Sequence, residues 1–148
     1  MNVSKCEQIR TWLQTADRNK ITAITEEFVK ADFEKNVEKV KSYMFDQYIE
    51  VQEQQGTFPL QNGEYVSRYF AAYSPNVSIK VSSVDIKFLE DEYQIYHSEI
   101  SKKYSVDPSK IVSVEAHVQI TDNEFVTGTL VPLTFVKLDK EWYIIPAI

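Results

Sequence analysis

Between Lys110 and Ile148 the chain runs through three apolar-rich stretches joined by two very short polar connections. In the first, Val112, Val114, Ala116, Val118 and Ile120 alternate with Ser113, Glu115, His117, Gln119 and Thr121. A period of two predicts a strand with one buried face and one wet face. Asp122-Asn123 supplies a two-residue hairpin turn, because Asn and Asp tolerate positive φ. Phe125–Leu138 is apolar on both sides, as a strand with cover on each face would be. Asp139-Lys140 turns the chain again into Glu141–Ile145, and Pro146 suits a strand end or an edge.

Those turns imply a register. Thr121 opposite Glu124 brings His117 to Gly128, and Leu138 opposite Glu141 pairs Phe135 with Ile144 and Lys137 with Trp142. One face then carries Val112, Val114, Val118, Val131, Leu133, Phe135, Trp142 and Ile144, together with Phe125, Thr127 and Thr129. The other carries Glu115, His117 and Gln119 beside Leu130, Val136, Tyr143 and Ile145. A slip of one residue in either turn would exchange the faces of the following strand.

Upstream, Asn76–Glu90 reads as a further long strand with a fault in its phase. Val77, Ile79 and Val81 alternate inward, and Val84, Ile86 and Phe88 continue one residue out of step. A bulge at Ser82-Ser83 repairs the phase and bends the strand, which implies a curved sheet. Asp91–Tyr104 is predicted helical, with Tyr93, Tyr96, Ile100 and Tyr104 on one side; the alternative is a strand paired to the preceding one.

The first half is helical. Asn2–Asn19 carries a short stripe of Ile9, Trp12 and Leu13. Ile21–Glu34 repeats Ile21, Ile24, Phe28 and Ala31 at helical spacing, and Asn36 is placed to cap a second helix through Val37, Val40, Tyr43 and Met44. Tyr48–Gln55 suits either a helical continuation or a short strand. Gly56, Pro59 and Asn62-Gly63 break the chain before a third helix, Glu64–Tyr73, in which Tyr65, Tyr69 and Tyr73 share a face. The expected fold class is α+β, with N-terminal helices packed on a curved, bulged antiparallel sheet of four or more strands. At 148 residues a single domain is expected, with residues 1–19 as a peripheral segment.

Composition narrows the function. A net charge of −6 argues against non-specific nucleic-acid binding, which needs clustered Lys and Arg. The single cysteine, Cys6, excludes an internal disulfide, and no Cys/His cluster has metal-ligand spacing, so no metal or cofactor is expected. No apolar run reaches membrane length, and Met1–Cys6 lacks a signal-peptide core. The expectation is a cytoplasmic chain, or an extracytoplasmic one if an anchor was removed.

Two stretches carry a family likeness: FVKADFEKNVEKVKSYM (Phe28–Met44) after a helix start, and FVKLDKEWYI (Phe135–Ile144) at the end. With the bulged strand and the C-terminal meander, they resemble the nuclear transport factor 2-like superfamily. That resemblance implies a curved sheet wrapped around a long helix, making a cone with an apolar mouth. The helix between long strand and meander departs from the commonest layout and resembles the soluble accessory domains of bacterial conjugation and secretion machines.

Enzymes of that superfamily aim an Asp or Glu into the cone, sometimes with Tyr or His. The inward polar residues of the meander are Thr127, Thr129 and Lys137, which counts against catalysis. No catalytic residue is assigned. His117 with Glu115 lies on the wet face, His97 on the outer side of a helix, and Asp85 points away from the core; each is most simply a solvated polar group. Asp32, ending its helix, is the one carboxylate placed to reach a cone's mouth.

The leading expectation is a non-enzymatic interaction domain. Its contact would be the outer face at Leu130, Val136, Tyr143 and Ile145, since such a patch is rarely left open; a protein partner or a second copy is favoured over cover by the chain's own Ile9, Trp12 and Leu13. The alternative is a binder of a small apolar molecule, or a weak polyketide-cyclase- or ketosteroid-isomerase-like enzyme. Its mouth would lie near Phe28, Asp32, Tyr69, Thr127, Thr129 and Trp142.

Overall fold

A computed structural model of the protein describes residues 13–55, 76–87 and 92–146. Within them four helices, α1 (Thr15–Phe33), α2 (Val37–Lys41), α3 (Asp46–Gln54) and α4 (Tyr93–Tyr104), accompany four strands, β1 (Val77–Lys87), β2 (Lys110–Asp122), β3 (Phe125–Leu138) and β4 (Glu141–Ile145). The strands form one curved antiparallel sheet in the order β1-β2-β3-β4, with α4 between β1 and β2 in sequence. The α+β class, the sheet and its curvature follow the sequence expectation. The stretch 64–73 with Tyr69, residues Ile9 and Trp12, and Phe88 lie outside the described residues.

The bulge is where the phase fault put it. Val81 pairs with Val118 and Ser83 with His117, leaving Ser82 as the extra residue, and Val81 and Val84 both stand on the inner face. Ser82 Oγ donates to the His117 carbonyl at 3.0 Å, tying the extra residue to the partner strand.

The second turn has the predicted register, with Leu138 opposite Glu141 and Phe135 opposite Ile144. The first turn lies one residue later than predicted, which moves the pairing by two. Asp122 pairs with Phe125, so the turn is Asn123-Glu124, His117 faces Leu130, and Gly128 faces Gln119. The reason is local: Asn123 takes the positive φ of 57° at the first turn position, and Asn accepts that conformation more readily than Asp. The later turn lengthens β2 by one residue, and because the pairing moves by two it leaves the two faces unchanged. The helical alternative holds for both ambiguous stretches, which fall in α3, ending at Gln54, and in α4, beginning at Tyr93.

α1 lies over the inner face. Its Ile21, Ile24, Phe28, Val29 and Ala31 are buried, as are Val112, Val114, Val118, Leu133, Phe135 and Ile144 on the sheet. It begins six residues earlier than apolar spacing predicts, because its first turn is held by charge. Asp17 accepts from Trp142 Nε1 at 2.9 Å and Lys137 Nζ at 2.9 Å, and Lys110 Nζ lies 3.6 Å away.

α1 ends in a Schellman motif. The Asn36 amide donates to the Ala31 carbonyl at 2.9 Å and the Lys35 amide to that of Asp32 at 3.0 Å, with Lys35 left-handed at φ 59°. Asn36 then caps α2, accepting from the Lys39 amide as its sequence position implies. Glycine fills the left-handed position without a Cβ clash, so Lys35→Gly should stabilise the protein by about 0.5–1 kcal/mol in chemical denaturation.

Candidate functional site

The residues proposed as a cone mouth do not converge. Thr127 lies opposite Ile120, near the first hairpin, and Trp142 lies opposite Lys137, ten residues along β3. At about 3.3 Å per residue that is roughly 30 Å, too far for one small molecule to touch both. Phe28 is fully buried, its ring 6.3 Å edge-on from Tyr43; Asp32 is fully buried at the end of α1. Thr127 and Thr129 are half-buried on the inner face beyond the reach of β4. Trp142 belongs to the Asp17 cluster, where Lys137 also sits 5.7 Å over its ring.

Sequence reasoning missed Asp17, whose side-chain hydrogen-bond partners Lys137 and Trp142 are more than a hundred residues away. Burial pushes its carboxyl up, but the Trp142 indole N–H, the Lys137 ammonium and the Gln14 amide more than offset this and hold it down at about 2. The cluster anchors α1 to β3 and β4.

The outer face divides in two. At the β4 end, Val136 and Ile145 are 0% and 1% exposed, so they offer no open patch. The chain covers this end itself: Phe45 packs edge-on against Tyr143 at 6.0 Å and against Tyr104 of α4 at 5.6 Å. Ile100 and Tyr104 of α4 share with Ile145 an apolar depression of about 410 Å³ rimmed by Lys102 and Lys103. Of the four predicted contact residues, Tyr143 is half-buried and Leu130 alone is well exposed, at 48%.

The other end is open. Beside Leu130 stand Val126, 53% exposed, and at the hairpin Phe125, 63% exposed. β4 pairs with β3 only from Thr134 to Leu138, so among the described residues Phe125–Leu133 has no neighbour on that side.

The Ile144 amide donates to the Tyr43 carbonyl at 2.8 Å, away from β3, so Ile144 and its partner Phe135 form a non-hydrogen-bonded pair. Phe135 and the other odd residues of β3 therefore turn their amides toward β2. The even residues turn theirs toward the β4 side. Pro132 is even, and its missing N–H falls where β4 has already ended, which is why a proline is tolerated inside this strand. Val126, Gly128 and Leu130 present their backbone groups to the open edge.

Next to this edge, across β2, a polar cluster stands on the same outer face. Asp85 and Glu115 are direct cross-strand partners. His117 Nε2 lies 2.7 Å from Asp85 Oδ2, and Lys87 Nζ bonds Glu115. The sequence placed all three acidic and imidazole groups on the wet face, but their meeting needs β1 registered on β2 through the bulge.

No protein-family model matches the chain, and comparison with curated proteins returns no match. Among the described residues no helix is long and apolar enough to cross a membrane.

Proposed function

We propose that the chain is a non-enzymatic interaction domain of the nuclear transport factor 2-like kind, docking through the open half of β3. The N-terminal helices, bulged strand and three-stranded meander, with the curved sheet, support the family reading, and α4 is the departure from its commonest layout. The observation that carries the docking surface is the β3 stretch beyond β4. It combines backbone groups that are unpaired among the described residues with exposed Val126 and Leu130, where soluble proteins ordinarily blunt an edge with charge. An added strand would take its hydrogen bonds from that edge and its specificity from alternate side chains.

Gly128 at the middle lets another backbone approach closely. A second copy laid antiparallel about Gly128 would set Val126 of each chain against Leu130 of the other, a self-complementary arrangement. Sedimentation velocity over a wide concentration range tests this. The expected result is a concentration-dependent dimer that Val126→Asp with Leu130→Asp abolishes, with Tm kept within about 2 °C because both positions are exposed. A wild-type monomer at every concentration, or a dimer indifferent to both substitutions, would overturn the proposed self-association.

One observation favours a second reading. The depression between α4 and Ile145 has the size and apolar floor of a small-ligand site, with two lysines at its rim to meet an acidic head group. A dose-dependent rise in Tm with a long-chain fatty acid, lost in Ile100→Glu, would move the function to that site.

A further inference from the structure

The strand bulge has a second effect: it re-aims a side chain. Before it, even residues of β1 face outward; after it, odd residues do, and Asp85 is thereby turned to the outer face. There it meets Glu115 and His117. One ligand atom from each of the three lies within 4.8 Å of the others. Two carboxylates directly opposite one another on adjacent strands repel, and positive charge between or beside them relieves the repulsion. Lys87 supplies such a charge at Glu115, and His117 hydrogen-bonds Asp85.

We propose that Asp85, Glu115 and His117 form a binding site for a borderline divalent metal ion of the zinc class. One imidazole nitrogen with two carboxylates suits Zn²⁺ and its neighbours over Mg²⁺ or Ca²⁺, which take oxygen ligands alone. Donor atoms on a tetrahedral ion lie roughly 3–3.5 Å apart. The three side chains are part-exposed on rigid strands, so rotamer adjustments alone close that gap. A fourth position stays open to water. The linear spacing gives no hint of this set, because Asp85 comes from a strand thirty residues before Glu115.

Lys87 makes the inference specific. Its ammonium occupies Glu115, so it competes with the metal, and a substitution that removes it should tighten binding. The experiment is calorimetric titration of ZnCl₂ into the full chain, with Lys87→Met, His117→Ala, Asp85→Asn and, as a control at the unrelated His97–Asp107 pair, His97→Ala. The expected result is one equivalent bound by the wild type and by His97→Ala. Binding should weaken at least tenfold in His117→Ala and in Asp85→Asn, and tighten severalfold in Lys87→Met. Each variant's melting temperature without zinc confirms that it is folded; should one variant fail to fold, the other and Lys87→Met still decide. Absence of binding by the wild type at millimolar zinc, or binding that His117→Ala and Asp85→Asn leave unchanged, overturns the site.

Discussion

Phe28→Ala should lower stability by about 4 kcal/mol, a large part of the 5–15 kcal/mol a domain of this size possesses. The ring is fully buried on the inner side of α1, meets Tyr43 edge-on and belongs to the apolar core beneath the sheet. Truncation removes the transfer energy of the ring and leaves a cavity that close-packed neighbours cannot fill. The expected observation is a denaturant midpoint shifted strongly down with an unchanged slope. The result also bears on function. If Phe28 lined a solvent-filled mouth, its loss would cost little, so a change under about 1 kcal/mol would revive the ligand-pocket reading.

Asp17→Asn should cost about 2 kcal/mol at neutral pH and little near pH 2. The carboxylate is 12% exposed and is held at about 2 against an ordinary 3.8. Its folded pKa is depressed, so its contribution is complete above the unfolded value and is lost as pH falls through the folded value, from about 5 to 1. Neutralising it also removes the carboxylate that Lys137 and Lys110 share. Thermal melts should show a drop of roughly 5–8 °C at pH 7, and a wild-type advantage that shrinks to a small remainder by pH 2. An equal deficit at both pH values would mean that the side chain acts through its shape and not its charge.

The extent of what could be read in advance follows the range of the interactions. β3 and β4 carry their predicted bounds because alternation and turn chemistry are local. The bulge was legible too, as a break in that same period. α1 begins early because Thr15–Asn19 is polar and is held by Trp142 and Lys137, which no window along the sequence contains. The outer face misled for a similar reason: Val136 and Ile145 pattern as exposed apolar positions, and only the placement of Phe45 and α4 shows them covered. For the metal ligands, each residue's face was readable and their juxtaposition was not. That required the β1–β2 register on both sides of Ser82.

The Asp17 tether also sets a timetable for the nascent chain. The carboxylate and the Trp142 indole are 125 residues apart, and the ribosome adds about 5–20 residues per second, so α1 waits roughly 6–25 s for its dock. During that interval Ile21, Ile24, Phe28 and Val29 form an apolar stripe without its sheet. Synthesis order and docking order run in opposite directions here. The first described helix to leave the ribosome has its partners on the last strands, and its apolar stripe is what a holding chaperone would meet.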